Sequence, residues 1–156
     1  VAFIIDVFSR RLVGWKASRS MTAALVVDAL NMAAWTCHTN LDGLTCHTDA
    51  GSQYVSIAYT DRIEELGMTA SIGTVGDSYD NAMAESVMGI FKTELHRNPA
   101  VLSDNGGHWK GLDDLEIATC AWVSWFNEER LHGELGDRTP IEVEAEYCDS
   151  DQAKAA

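Results

Sequence analysis

The spacing of apolar and polar residues marks out most of the elements of this chain. Residues 1–8 form a β-branched and aromatic run, Ser9-Arg10-Arg11 turns, and residues 12–17 return, which predicts a hairpin. Residues 22–35 are rich in Ala, Leu and Val with Asp28 and Asn31 to one side, predicting a helix with Ser20 as its N-cap. A short strand is predicted over 44–48, followed by Asp49-Ala50-Gly51-Ser52, a turn by composition. Residues 56–66 read as a helix closed by Gly67, and 68–72 as a short buried strand. The segment 73–79 has no periodicity and reads as a loop. A long helix follows, from Asp80 or Asn81 to about Arg97. Residues 98–111, with Pro99 and the Gly106-Gly107 pair, are expected to form a second loop. Residues 112–130 are again helical, with Trp122, Trp125 and Phe126 expected on one packed face. Thr139-Pro140 opens a last short helix through Tyr147, and the polar residues after it are expected to be a disordered tail. This order of strands and helices describes a mixed α/β domain with an antiparallel opening hairpin and later strands reached by helical crossovers.

Composition adds bounds. The chain has 156 residues, 46% hydrophobic and 22% charged, which suits one soluble domain. No apolar stretch approaches the ~18 residues of a membrane span; residues 23–35, the longest candidate, are interrupted by Asp28 and Asn31. Cys37, Cys46, Cys120 and Cys148 are scattered without a Cys-x-x-Cys pair, and are read as buried, reduced thiols of a cytoplasmic protein. Val1-Ala2-Phe3-Ile4-Ile5 reads as strand interior with neither initiator methionine nor signal pattern, so the sequence is expected to begin inside a folded element. Net charge is −13, unlike the basic footprint of most nucleic-acid binders. It is uneven: residues 1–35 carry four basic and two acidic side chains, residues 101–156 four basic and thirteen acidic. Any bulk affinity for DNA would have to come from another segment or subunit.

Two places concentrate candidate chemistry. On the long helix, Asn81, Glu85, Gly89, Lys92 and His96 fall within about 40° of one line at 100° per residue. Ala84, Val87, Phe91 and Leu95 form the adjoining apolar stripe. On charge pattern alone a solvated helix face is the better account of this pattern, but a mid-helix glycine costs ~1 kcal/mol and Gly89 asks for a reason, such as close approach of a bulky partner. In the second place, Cys46-His47-Thr48-Asp49-Ala50-Gly51-Ser52-Gln53-Tyr54, Asp49 stands where a strand gives way to a turn. Ligands of α/β sheets usually bind at that edge. An aspartate there is either a turn former or one of the carboxylates that hard cations such as Mg²⁺ require.

Between Asp49 and Glu85 lie 35 residues, and with this spacing the sequence resembles the catalytic core of retroviral integrases and bacterial insertion-element transposases. The resemblance rests on His47-Thr48-Asp49-Ala50-Gly51-Ser52-Gln53-Tyr54, on Asp80-Asn81-Ala82-Met83-Ala84-Glu85-Ser86, and on Phe91-Lys92-Thr93-Glu94. It continues in the Asn-x-x-Arg-x-His ending (Asn127, Arg130, His132) and Thr139-Pro140, and covers about residues 1–147. It implies a ribonuclease H-like mixed sheet flanked by helices, with residues 1–147 a partial integrase-type core and 148–156 a tail. It implies metal-dependent DNA strand cleavage and transfer with two Mg²⁺ or Mn²⁺ ions in the intact parent, a homo-oligomer working on element ends and target DNA, and no membrane. Asp49 and Glu85 are the implied metal ligands and catalytic acids. Lys92, Asn81 and Arg130 are the implied DNA contacts, and residues 73–79 a gate over the site.

The family's first aspartate lies on a strand preceding Ile4-Ile5-Asp6-Val7-Phe8-Ser9-Arg10. The first strand is therefore expected to be missing and the chain, holding two of three acids, to be inactive by itself. Asp6 falls in the turn after the family's second strand and is not expected to replace the first acid. His47 is either an accessory to the metal shell or a structural histidine. Asn127, Arg130 and His132 either pack a helix end or touch DNA. Two alternatives remain open: a ribonuclease H-like nuclease, and a non-catalytic remnant that dimerises with a full-length transposase.

Overall fold

The computed structural model describes residues 1–37, 41–48, 51, 56–72 and 78–155, with side chains for all of these except 72, 78–81 and 148–155. The chain opens with β1 (Ala2–Ile5) paired antiparallel to β2 (Leu12–Lys16). β1 is shorter than its apolar run because Asp6 ends it. The Asp6 carboxylate accepts from the Ser9 amide at 2.8 Å and from the Ser9 hydroxyl at 2.5 Å, and Arg10 turns back at φ 63°. A carboxylate spent on its own turn accounts for Asp6 without a metal.

α1 (Ala23–Thr36) lies against β2 and β1, and Gly14 is the reason it lies so close. A Cβ on Gly14 would sit 2.3 Å from the Ala29 carbonyl oxygen and 2.9 Å from the Ala33 methyl group. The N-cap position belongs to Thr22 rather than Ser20, whose amide bonds back to Ser18 Oγ at 3.2 Å. β3 (Thr45–Thr48) and β4 (Thr69–Ile72) pair in parallel, joined through α2 (Ile57–Glu65). The Ser56 hydroxyl caps α2 by accepting from the Tyr59 amide. Gly67, at φ 71°, ends it with Gly67 N–H on the Glu64 carbonyl and Met68 N–H on the Ile63 carbonyl, a Schellman closure. Among the described residues the strands make two separate two-stranded sheets, one antiparallel and one parallel.

α3 (Ser78–Phe91) runs into a π-helical turn (Lys92–His96), then α4 (Pro99–Asp104), α5 (Leu112–Glu128), a 3₁₀ turn (Gly133–Leu135) and α6 (Pro140–Ala155). α4 occupies part of the segment expected to be a loop. Asn98 accepts from the Ala100 amide and Pro99 sits at the first turn, the standard start of a helix. The α6 backbone stays helical beyond Tyr147, where a tail was expected, and no glycine or proline interrupts residues 141–155.

The core has two halves that share β1. Ala2 and Ile4 pack with α1 and α2 around Leu30, Tyr59 and Ile63. Val1, Phe3 and Ile5 pack with α3 and α5 around Phe91, Trp122 and Phe126. The alternation of the strand thus serves a helical layer on each side. On α5 the packed residues are Thr119, Trp122, Val123, Phe126 and Asn127. Trp125, expected with them, is exposed, because at 100° per residue it stands about 130° round the helix from the middle of that packed stripe. Of the thiols with described side chains only Cys46 is buried, with its sulfur 3.3 Å from the Tyr59 hydroxyl; Cys37 is half-buried and Cys120 exposed. Burial raises the pKa of both Cys46 and Cys37.

Candidate functional site

The parallel pairing fixes one end of the domain. Thr48 is opposite Ile72, so the chain leaves β3 and β4 at the same end, where open α/β sheets bind their ligands. Asp49 is the next residue after β3, but it lies outside the described residues, as do Ser52, Gln53, Tyr54 and the proposed gate residues 73–77. Asn81 is on α3, its side chain outside the described set. His47, on β3, is exposed and has an interaction partner of its own.

Glu85 stands two turns into α3 with its side chain exposed. Among the described residues its carboxylate has no hydrogen-bond or ion-pair partner. Lys92, the first residue of the π-helical turn, is likewise exposed and without such a partner. The opposite stripe is buried at Val87, Phe91 and Leu95, and the T-shaped contacts of Phe91 with Phe3 (5.1 Å) and Trp122 (5.2 Å) fix which face turns outward. Ala84, expected in the stripe, is exposed and lines an open apolar cleft of about 150 Å³ with Phe3, Leu25, Val87 and Met88. Among the described residues Gly89 has no atom of another element within 4 Å of where a Cβ would be, so no described neighbour explains it.

His96 leaves the polar line. The π-helical turn adds a residue to the last turn, and the ring lies near Phe91 and stacks on Trp109 at 6.5 Å. Its pKa is lowered by burial first, then by the charges of Arg97, the N-terminus and Lys92.

The Asn-x-x-Arg-x-His residues all face inward. Asn127 is buried; its Oδ1 accepts from the Leu12 amide at 2.9 Å and its Nδ2 donates to the Leu12 carbonyl at 3.0 Å. Arg130 donates to Glu94 Oε1 from Nε (3.3 Å) and Nη2 (3.2 Å), and its guanidinium lies 5.7 Å from the Phe126 ring centre. Glu94 Oε2 accepts from Trp122 Nε1 at 3.2 Å. The His132 ring meets Phe126 edge-on at 4.6 Å, with Nε2 3.3 Å from the Phe126 carbonyl oxygen. Burial lowers the His132 pKa, against a raising hydrogen bond to Phe126. Asn127 and Glu94 had no local signal, since their partners lie 115 and 36 residues away.

As ligands for a hard cation, Glu85 and Asp49 have the right chemistry: an exposed carboxylate without a partner among the described residues, and an aspartate next in sequence after Thr48, the last residue of β3. No group of three or more His, Cys, Asp or Glu able to hold a metal is found among the described residues, a set that excludes Asp49.

Comparison with known proteins agrees with this fold. The profile described as Integrase core domain matches residues 1–78, and a second of the same description matches residues 66–140. The chain belongs to the integrase core domain family. It is 42% identical over 160 residues to a putative transposase for insertion sequence element IS986/IS6110 of Mycobacterium tuberculosis, covering 100% of this chain and 55% of that protein. It is 47% identical over 148 residues to the transposase for insertion sequence element IS629 of Shigella sonnei, covering 94% of this chain and 46% of that one. The chain therefore spans about half the length of the curated relatives it matches. Its fold is the ribonuclease H-like α/β fold of retroviral integrase cores. The simian T-cell lymphotropic virus intasome, solved with PP2A regulatory subunit B56 gamma, gives a TM-score of 0.68 at 18% identity, over 89% of this chain and 45% of that one. The catalytic core domain of BIV integrase gives 0.50 at 18% identity, over 90% and 80%. No helix of the described residues is long and apolar enough to cross a membrane.

Proposed function

We propose that this chain is part of the catalytic core of a DNA transposase of a bacterial insertion element, a protein that acts in the cytoplasm as a homo-oligomer on element ends and target DNA. The observation that carries the reading is Glu85. In a chain where most cations and many acids are paired internally, this carboxylate is exposed, without a described partner, and separated from Asp49 by 35 residues. Family membership and the transposase relatives support it.

In this reading Asp49 and Glu85 hold divalent metal. Mg²⁺ or Mn²⁺, when bound, supplies Lewis acidity to in-line displacement at phosphorus. Lys92 meets the DNA backbone, and Asn81 orients a phosphate or water near Glu85. With no described atom of another element within 4 Å of a Gly89 Cβ, a bulky partner has room among the described residues to approach the helix between Glu85 and Lys92. Arg130 is the weakest of the DNA-binding candidates, because its guanidinium is engaged by Glu94.

Two measurements test the reading: Mn²⁺ binding followed by water-proton relaxation, and strand transfer on labelled duplex ends, on the chain and on any longer protein containing it. Glu85→Gln and Asp49→Asn are each expected to weaken Mn²⁺ binding and, where transfer occurs, to reduce it by about 10³-fold or more, as loss of a main electrostatic stabiliser does. For Glu85→Gln circular dichroism is expected to stay unchanged. Undiminished metal binding and transfer in Glu85→Gln would overturn the assignment.

A further inference from the structure

Eleven Lys and Arg side chains share this chain with twenty-four Asp and Glu. Among the described residues six of the cations are bound in ion pairs: Arg10 to Glu134, Arg11 to Glu144, Lys16 to Glu116, Arg62 to Glu65, Arg130 to Glu94 and Arg138 to Glu146. Among the described side chains Arg19, Lys92, Arg97 and Lys110 have no carboxylate partner, and two of these four, Lys92 and Arg97, stand at the start and just past the end of a single helical turn.

That turn is the π-helical segment after α3, closed by the Arg97 amide on the Lys92 carbonyl at 2.8 Å. In an α-helix a residue five places on is rotated about 140° from the first. The i→i+5 bond instead sets the Arg97 amide on the Lys92 carbonyl, so the two residues bound the same wide turn. Both residues are exposed. The carboxylate of the same turn is drawn off, since Glu94 is engaged by Arg130 and by the Trp122 indole. The imidazole is drawn off too, stacked on Trp109, whose Nε1 donates to the His96 carbonyl at 3.1 Å. The His96 ring feels both cations, which lower its pKa in addition to burial.

We propose that Lys92 and Arg97 together form a two-cation clamp on the DNA phosphate backbone, and that the π-helical turn is what aligns them. The inference rests on the reading of this chain as acting on DNA, and adds Arg97 to its contact residues. Such a local pair lets a protein of net charge −13 meet a polyanion at one place.

The test is the salt dependence of binding to a short duplex, by fluorescence polarisation on the full chain from low salt upward. Each phosphate contact contributes about 0.9 to the slope of log K against log salt. Arg97→Ala and Lys92→Ala are each expected to reduce the slope magnitude by about 0.9, and the double variant by about 1.8, with circular dichroism unchanged. Arg97→Lys is expected to retain the slope, and Arg19→Ala, which removes the same charge elsewhere, to leave it unaltered. A normal slope in Arg97→Ala with a reduced one in Lys92→Ala would overturn the clamp while leaving the DNA reading standing. An equal loss in Arg19→Ala would also overturn it, by showing that net charge alone sets the slope. No loss in either Lys92→Ala or Arg97→Ala, or no binding at low salt, would overturn both the clamp and the reading beneath it.

Discussion

The outward face of α3 and the ending Asn127–Arg130–His132 are both polar, and both resemble family motifs, yet they differ in where their polar atoms point. Glu85 and Lys92 have no described partner. Asn127, Arg130 and His132 are all engaged inside the domain. A polar residue kept in a motif can serve chemistry or serve the fold, and the destination of its hydrogen bonds separates the two. A buried donor or acceptor left unmet costs ~1–3 kcal/mol. A side chain that meets such a need is occupied, whereas one facing solvent is available to a ligand.

The comparison can be broken most directly at Asn127. Asn127→Ala leaves the amide and carbonyl of Leu12 without their partners, and is expected to cost about 2–4 kcal/mol in urea unfolding. This is the reverse of Glu85→Gln, which is expected to change metal binding and not stability. A cost under about 1 kcal/mol with loss of DNA binding would move Asn127 from the fold to the site. A smaller effect is expected at Arg130. Its pair with Glu94 is partly exposed, so Arg130→Gln should cost about 1 kcal/mol or less. The salt slope of DNA binding should not change; a drop of about 0.9 would mean that Arg130 reaches phosphate after all.

The smallest effect concerns pH. The His132 pKa lies below its ordinary value near 6.5, mainly through burial, so the unfolded chain binds the proton more readily. Stability from this group is therefore complete above pH 6.5 and is lost as pH falls through the folded pKa. His132→Gln should flatten that part of a stability–pH curve. An unchanged curve would place the acid sensitivity in His96, whose pKa is also lowered.

Most elements were legible because their signals are local. The helix opening at Ser56, the Gly67 closure and the strand–helix alternation all fall where period and turn chemistry put them. β1 ended early because Asp6 bonds Ser9, and α4 was missed because Gly106 and Gly107 outweighed the Asn98-Pro99 start. Gly14 carried a readable hint, since glycine inside a strand often marks close backbone approach. The π-helical turn carried none: Glu94 meets Arg130 from 36 residues away and Trp122 from 28. The proposed site could be listed from the sequence as candidate residues, but not as a geometry. Spacing and motif singled out Asp49, Glu85, Asn81 and Lys92, but the inward turn of Arg130 and the stacking of His96 depend on tertiary contacts.

The strand that both halves of the core share has a consequence for how the molecule opens. Neither the α1–α2 layer nor the α3–α5 layer can detach without stripping one face of β1. The two layers should therefore behave as one cooperative unit. In native-state hydrogen exchange the amides of β1 and β2 that pair with each other should open only with the whole domain. Short α4, with no buried residue, should exchange at far lower free energy. The hairpin then sets the lifetime of the fold, and the end of the helix that presents Glu85 and Lys92 is fastened to it through Phe3 and Phe91.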